Sequence, residues 1–457
     1  MPSPRETAIQ FAHQHRDEYL AALSDLIRIP SVSTNPENAN DVKKAATWLA
    51  TKLTDLGIEH VQVFPTALHP IIYGDWLHAG ADKPTILIYG HYDVQPPDPE
   101  EKWETPPFEP VIRGDRLYAR GASDMKGQLI AVLSALQAIF QSGPLPVNIK
   151  FILEGEEEIG SPSMSVYLHE KKALLSSSLA LNPDAGMIAP DVPTIVYSLR
   201  GLAYFEIHVE GPTIDLHSGL FGGVIQNPAQ VLCDLISGMR DEHGKILLPG
   251  FYDHVKPITA EEHAQLARLP LNDQFYMERS GAPQLWGEEG YTPAERAGRR
   301  PTLDVNGIIA GFTGKGSKTV IPSHAMAKIS MRLVPDQNPD EVYQQLISYL
   351  KNKAPQTVKW EVVRFSSGPA VQTDLELPAT KAMFAALKTV WGKDPVYKPE
   401  GGSIPIAAEM QEVLGIQSVL TGFGLPEDAI HSPNERLHLP TWYNGIDALI
   451  HFFYNLE

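Results

Sequence analysis

Short apolar runs that stop at a turn punctuate the first 200 residues. Thr85-Ile86-Leu87-Ile88-Tyr89 stops at Gly90, and Ile149-Lys150-Phe151-Ile152-Leu153 stops at Glu154-Gly155. Such continuous apolar character predicts strands covered on both faces. Leu179-Ala180-Leu181 and Ser418-Val419-Leu420 are weaker runs of the same kind. Helical periods lie among them. Residues 5–27 carry apolar marks at Ile9, Phe11, Leu20, Leu23, Leu26 and Ile27, and Asn40 to Leu56 ends at Gly57. A third period runs through Leu129, Ile130, Leu133, Leu136, Ile139 and Phe140. Strands alternating with helices predict an α/β fold with a mostly parallel sheet. In such sheets ligands bind beyond the carboxyl ends of the strands.

The middle of the chain has a different period. Leu202 to Val209 and Ala325 to Leu333 alternate, as half-exposed strands do, and Pro228 to Met239 and Pro339 to Lys351 suit helices. This predicts a smaller α+β domain, residues 201–368, inserted into a domain made of residues 1–200 and 369–457.

Composition narrows the classes. The chain has 457 residues, 43% of them hydrophobic, as a globular protein does. Its formal charge of −18 disfavours nucleic acid and anionic membrane as partners. The single cysteine, Cys233, excludes a disulfide scaffold or a cysteine-rich zinc motif and reads as a small core residue. The N-terminus shows no signal-peptide pattern and no run is long enough to span a membrane, so the expected compartment is the cytoplasm.

The candidate chemistry lies where the strands stop. His91 and Asp93 follow the first run. Glu154, Glu156, Glu157 and Glu158 crowd the end of the second, and Asp184 follows the third. His431 follows the fourth at a longer distance. Singly, each has an ordinary reading: Asp124 as the N-cap of the helix it precedes, Asp184 as a turn residue, His431 as a loop histidine. Carboxylates packed where the backbone leaves a core are costly without cations. Convergence of four distant segments on one sheet edge therefore points to a metal site. Two histidines among the ligands favour zinc-like ions over calcium.

In order along the chain stand Gly-His-Tyr-Asp-Val-Gln-Pro (90–96), Arg-Gly-Ala-Ser-Asp-Met-Lys-Gly (120–127), Glu-Gly-Glu-Glu-Glu-Ile-Gly-Ser (154–161), Tyr-Ser-Leu-Arg-Gly (197–201), Asp-Leu-His-Ser-Gly (215–219), Lys-Thr-Val-Ile-Pro (318–322), Glu-Gly-Gly-Ser-Ile-Pro (400–405) and His-Ser-Pro-Asn-Glu (431–435). Together they resemble the carnosinase-type dipeptidases. Those belong to a dinuclear-zinc peptidase family that also holds glutamate carboxypeptidases, aminoacylases and succinyl-diaminopimelate desuccinylases. The resemblance covers essentially the whole chain. It implies two divalent metal ions, zinc, with manganese or cobalt also tolerated. His91 and Asp184 would bind one, Glu158 and His431 the other, and Asp124 would bridge them. It implies Glu157 as general base and Asp93 as the residue that orients His91. The inserted domain resembles a lid that also forms a homodimer, with His217 stabilising the oxyanion in the partner subunit's site. Thr319 and Arg332 resemble grips for a peptide carboxylate, and Glu400, Gly402 and Ser403 the pocket edge that meets the substrate. Asn-Pro-Asp-Ala-Gly around Asp184 departs from the family's usual Ser-Asp-Thr/Asn.

The implied function is hydrolysis of free dipeptides. Two cations sharing a water give hydroxide near neutral pH, and Glu157 takes the proton and passes it to the leaving amine. Arg332 suits a carboxylate and Glu400 an α-amine. An N-acyl amino acid amidohydrolase with the same metals is the alternative, and a silent binding protein on the same fold is a third. Only the dipeptidase needs Glu400 to meet an amine.

Overall fold

The computed structural model describes residues 2–402 and 404–457. It divides into two compact units. The first comprises residues 1–197, 373–398 and 405–457, and the second residues 198–372 and 399–404.

The first unit is built on a sheet in the order Glu59–Phe64, Ile71–Trp76, Asn148–Glu154, Thr85–His91, Leu179–Asn182, Ser418–Leu420 and Thr194–Leu199. The four strands from Asn148–Glu154 to Ser418–Leu420 are mutually parallel. The outer pairings are antiparallel. The two longest apolar runs behave as their lack of alternation predicts: every residue of Asn148–Glu154 is buried, and so is every residue of Thr85–His91 after the first. The helix Lys126–Ser142 is buried almost throughout, and packs with Pro4–Gln14 and Leu439–Asn455. Because the central strands are parallel, their carboxyl ends share one edge.

Some local expectations need correction. Residues 5–27 form two helices, Pro4–Gln14 and Arg16–Ile27, which meet at His15. Asp124 does not cap the following helix: the N-cap position is Met125 and no side chain bonds there. Cys233 is exposed. The helix Pro228–Ser237 buries Val231, Leu232 and Leu235, a spacing that turns residue 233 outward.

The second unit is an antiparallel sheet in the order Thr302–Ala310, His324–Leu333, Gly201–Glu210 and Lys359–Gly368. Its central strands alternate buried and half-buried residues. The buried side chains form a core with the helices Pro228–Ser237 and Pro339–Lys353. Residues 399–404 belong to this unit, although the sequence pattern assigned them to the first. The reason is Arg200. Its N–H lies 3.3 Å from the Glu400 carbonyl and 3.1 Å from that of Gly402, and its Nε donates to the Gly401 carbonyl at 3.0 Å. Among the described residues no helix is long and apolar enough to cross a membrane.

Candidate metal centre

Four loops leave the shared strand edge of the first unit, and their side chains meet. His91 is the last residue of its strand and is fully buried. Its Nε2 lies 3.2 Å from Asp124 Oδ1 and 3.9 Å from Asp184 Oδ2. His431 Nε2 lies 2.9 Å from Asp124 Oδ2 and 3.3 Å from Glu158 Oε2. The two oxygens of Asp124 thus face different histidines. His91, Asp124 and Asp184 form one potential ligand group, and Asp124, Glu158 and His431 form another. Within each group the donor atoms lie within 4.8 Å of one another. A tetrahedral zinc with bonds of ~2.0–2.1 Å places its ligands ~3.3 Å apart. The donor separations bracket that value, so the residues fit two such ions.

Asp93 is buried beside the cluster. Its carboxylate accepts the backbone N–H groups of Glu157 and Glu158 at 3.3 and 3.1 Å, and lies 3.4 Å from His91 Nδ1. Nδ1 is also 3.1 Å from the Asp93 carbonyl. Occupying Nδ1 in this way leaves Nε2 as the donor aimed at the cluster. One residue thus meets a histidine ring and the backbone of the two adjacent glutamates. The other acids of the run have separate tasks. Glu156 accepts from His69 N and Ser163 N at 2.7 and 2.9 Å, and Glu154 accepts from Tyr89 Oη and Ser161 Oγ, both at 2.8 Å.

The loops are braced by residues whose roles the sequence did not announce. Glu435 is buried, and its Oε1 accepts from Ser123 N and Asp124 N at 2.9 and 3.1 Å. Its Oε2 accepts from Gly121 N at 3.0 Å and Arg120 Nη1 at 2.8 Å. Gln95 donates to Glu158 Oε2 at 2.7 Å, and Asn182 Oδ1 accepts from Asp184 N at 3.0 Å. The only advance signal for Gln95 and Glu435 was a place at the edge of a motif. Two glycines admit close approach. A Cβ on Gly127 would meet the Ala122 carbonyl oxygen at 2.1 Å, and one on Gly422 the Ala185 carbonyl oxygen at 1.7 Å.

Burial, with charge crowding behind it, is visible in proton affinity. Burial pushes Glu157 up to about 9, against the opposing pull of His91 and with Asp184, Asp124 and Glu158 adding to the rise. Burial and the neighbouring Asp124 push Glu158 up to about 7. Burial takes Asp184 up to about 6, although His91 opposes it. Asp124 goes the other way. Burial raises it, but the hydrogen bonds to His431 and His91 outweigh that and hold it low. Acids that hold protons near neutrality for want of counter-charge are suited to divalent cations.

The other expected site residues lie in the second unit. His217 is exposed on the two-residue strand Leu216–His217, which pairs with Val320–Ile321, and its Nδ1 accepts from Gly219 N at 3.0 Å. The Thr319 carbonyl accepts from Ser218 N at 3.0 Å, so His217 and Thr319 share one small ladder. Arg332 stands on His324–Leu333 opposite Thr302 and Leu202. Arg200 feels the charges of both Arg332 and Glu400. Gly402 accepts from Arg200 N, and Ser403 lies outside the described residues.

A family model described as peptidase family M20/M25/M40 matches residues 87–455. The chain is 31% identical to a Cys-Gly metallodipeptidase of Candida albicans, over 98% of this chain and 97% of that one. Its fold matches human carnosine dipeptidase 1 with a TM-score of 0.83 and 31% identity, over 100% and 99% of the two chains. It matches an M20 family metallo-carboxypeptidase of Sulfolobus solfataricus with a TM-score of 0.86 and 32% identity, over 96% and 99%.

Proposed function

This chain belongs to peptidase family M20/M25/M40, and we propose that within it the protein hydrolyses free dipeptides with two divalent metal ions. The observation that carries the reading is Asp124, whose two oxygens face two histidines, each with its own further carboxylate. His91 and Asp184 would hold one ion, Glu158 and His431 the other, and Asp124 both. Zinc suits this donor set, and manganese or cobalt could replace it. Two such ions polarise a scissile carbonyl and lower the pKa of a shared water.

Glu157 is the acid the ligand groups leave over. Standing beside both ligand groups without a ligand role of its own, it is placed to take a proton from the attacking water and deliver it to the departing nitrogen as the C–N bond breaks. Asp93 keeps His91 in the tautomer that presents Nε2. Arg332 supplies a planar fork for the substrate's free carboxylate, with Thr319 as a second grip, and Glu400 supplies an anion for its α-amine. Gly402 completes that edge, and Ser403 is assigned to it by the motif alone.

The assembly in this reading is a homodimer through the second unit, with His217 donating to the oxyanion in the partner's site. Exposed apolar side chains support it. Leu220 and Val224, just beyond His217, are 75% and 78% exposed, and Ile308 and Ile309 project from the edge strand Thr302–Ala310. Exposed apolar side chains beside an open sheet edge are features proteins cover by association. The compartment in this reading is the cytoplasm, since a chain with one cysteine has no internal disulfide to keep.

A substrate comparison tests the reading. Free dipeptides and their N-acetyl forms are assayed after chelation and again after zinc is restored. Free dipeptides should be cleaved only with metal, with kcat/KM at least ~10-fold above the acetylated forms, about the worth of one charge-assisted contact. Glu400→Gln should narrow that gap. Equal or faster cleavage of the acetylated forms would make the protein an N-acyl amino acid amidohydrolase instead.

A further inference from the structure

The second unit contains a cavity of about 390 Å³, within the size range of small-molecule sites. Arg200, Arg240, Arg296 and Arg300 line it, and Tyr276 and Trp286 give it aromatic walls. The lining has two carboxylates, Glu288 and Asp304. Four guanidiniums against two carboxylates stand out in a chain whose formal charge is −18. None of these residues belongs to the candidate metal centre.

How each arginine is held shows what the cavity lacks. Arg300 commits its fork to Glu288, with Nε to Oε2 at 2.7 Å and Nη2 to Oε1 at 2.6 Å, and the two neutralise each other. The other three are held by main-chain carbonyls. Arg200 Nε donates to Gly401 at 3.0 Å, Arg240 Nη1 to Leu303 at 3.2 Å and Arg296 Nε to Glu288 at 2.8 Å. A carbonyl aims a guanidinium without cancelling its charge, and each fork keeps further N–H donors. Burial, and Arg332 beside it, push Arg200 down to about 10, with Asp304 and Glu400 pulling the other way. Trp286 is 66% exposed, and the Arg240 guanidinium lies over its ring at 4.8 Å from the centroid. That stacking holds the arginine while leaving its in-plane donors available.

We propose that this cavity binds a small organic anion. Its carboxylate or phosphate group is taken by Arg240 and Arg296, and its apolar or aromatic body lies against Tyr276, Leu285 and Trp286. The planar fork of arginine matches either anionic group in a two-bond arrangement. The aromatic walls select against small inorganic anions, which would leave them uncovered.

The test is titration calorimetry on the full-length, metal-loaded protein with phenyl phosphate, phenylacetate and the uncharged control benzyl alcohol. At least one anion should bind once per chain and the alcohol should not, and whichever anion binds identifies the head group. Binding should persist after chelation, because no metal ligand lines the cavity. Arg240→Gln should weaken it ~10-fold, the worth of one charge-assisted contact. Trp286→Ala, which trims an exposed side chain and leaves the core intact, should weaken it as well. Circular dichroism confirms that both variants are folded. The proposal is overturned if neither anion binds, if both variants bind as tightly as the parent, or if chelation abolishes binding and so places the ligand on the metals.

Discussion

The acids of the first unit and the arginines of the second are both crowds of like charge, but they are kept together by different means. Asp124, Glu157, Glu158 and Asp184 stand just beyond buried parallel strands, with two histidines among them. Arg200, Arg240 and Arg296 come from separate segments of the chain, and each is anchored by a peptide carbonyl. A carboxylate in a crowd can take up a proton and become neutral, as the raised values of Glu157 and Glu158 express. A guanidinium cannot do so in any ordinary pH range. Without its partner the acidic cluster therefore answers to pH, whereas the arginine cluster answers to anions.

The largest effect that would sharpen this contrast is on turnover. Glu157→Gln should retain both metals and lose ~10²–10⁴ in kcat, the usual worth of a proton-transfer group. Asp124→Asn should lose metal as well as activity, as measured by metal analysis. Arg240→Gln should alter neither, and a matching loss there would show that the two clusters are coupled rather than independent.

Chelation should come next in size. The folded proton affinities of Glu157, Glu158 and Asp184 are raised, so the metal-free protein gains from them most fully below the ordinary carboxylate range. That gain is lost as pH rises through about 6, 7 and 9. The metal-free protein should thus lose melting temperature steadily from pH 5 to pH 9. Metal at 100 times its Kd should restore ~2.7 kcal/mol by linkage. A flat profile would show that burial does not hold these acids protonated in the metal-free protein.

Glu435→Gln should be milder. It removes the carboxylate that gathers the N–H groups of Gly121, Ser123 and Asp124 and should weaken metal binding ~10–100-fold, as losing an outer support does. Titration of the chelated protein with zinc measures it. The smallest effect concerns Asp428, hydrogen-bonded to Ser123 Oγ and Leu425 N, 3.9 Å from Arg116 Nη1, and pushed up to about 7 chiefly by burial. Its ionised form costs stability as pH rises from the ordinary aspartate value through about 7. Asp428→Asn should therefore raise melting temperature slightly at pH 8 relative to the parent, and less at pH 4.

What could be read from the sequence tracks how each part is buried. The runs at 85–89 and 149–153 are apolar on both faces, so strand identity and the edge where chemistry gathers were legible. The outer strand Glu59–Phe64 is mostly exposed and offers no apolar period, and the edge strands Thr302–Ala310 and Lys359–Gly368 are also largely open to solvent. None of the three was anticipated. The mutual placement of His91, Asp124, Glu158, Asp184 and His431 rested on strand-end convergence and on ordered motifs. Glu435 and Gln95 act through backbone and side-chain bonds that no composition signal marks. The arginine cavity was invisible because its geometry depends on carbonyls distant in sequence, such as Leu303 for Arg240.

Glu435 also ties the centre to the order of synthesis. The loop at 431–435 carries both His431 and the carboxylate that sets the backbone of Asp124, more than 300 positions earlier. A nascent chain displays His91, Asp124, Glu158 and Asp184 long before that loop exists. The second ligand group has no histidine, and Asp124 no brace, until that loop has been made. A chain ending before that loop would therefore offer the first ligand group complete and the second without its histidine.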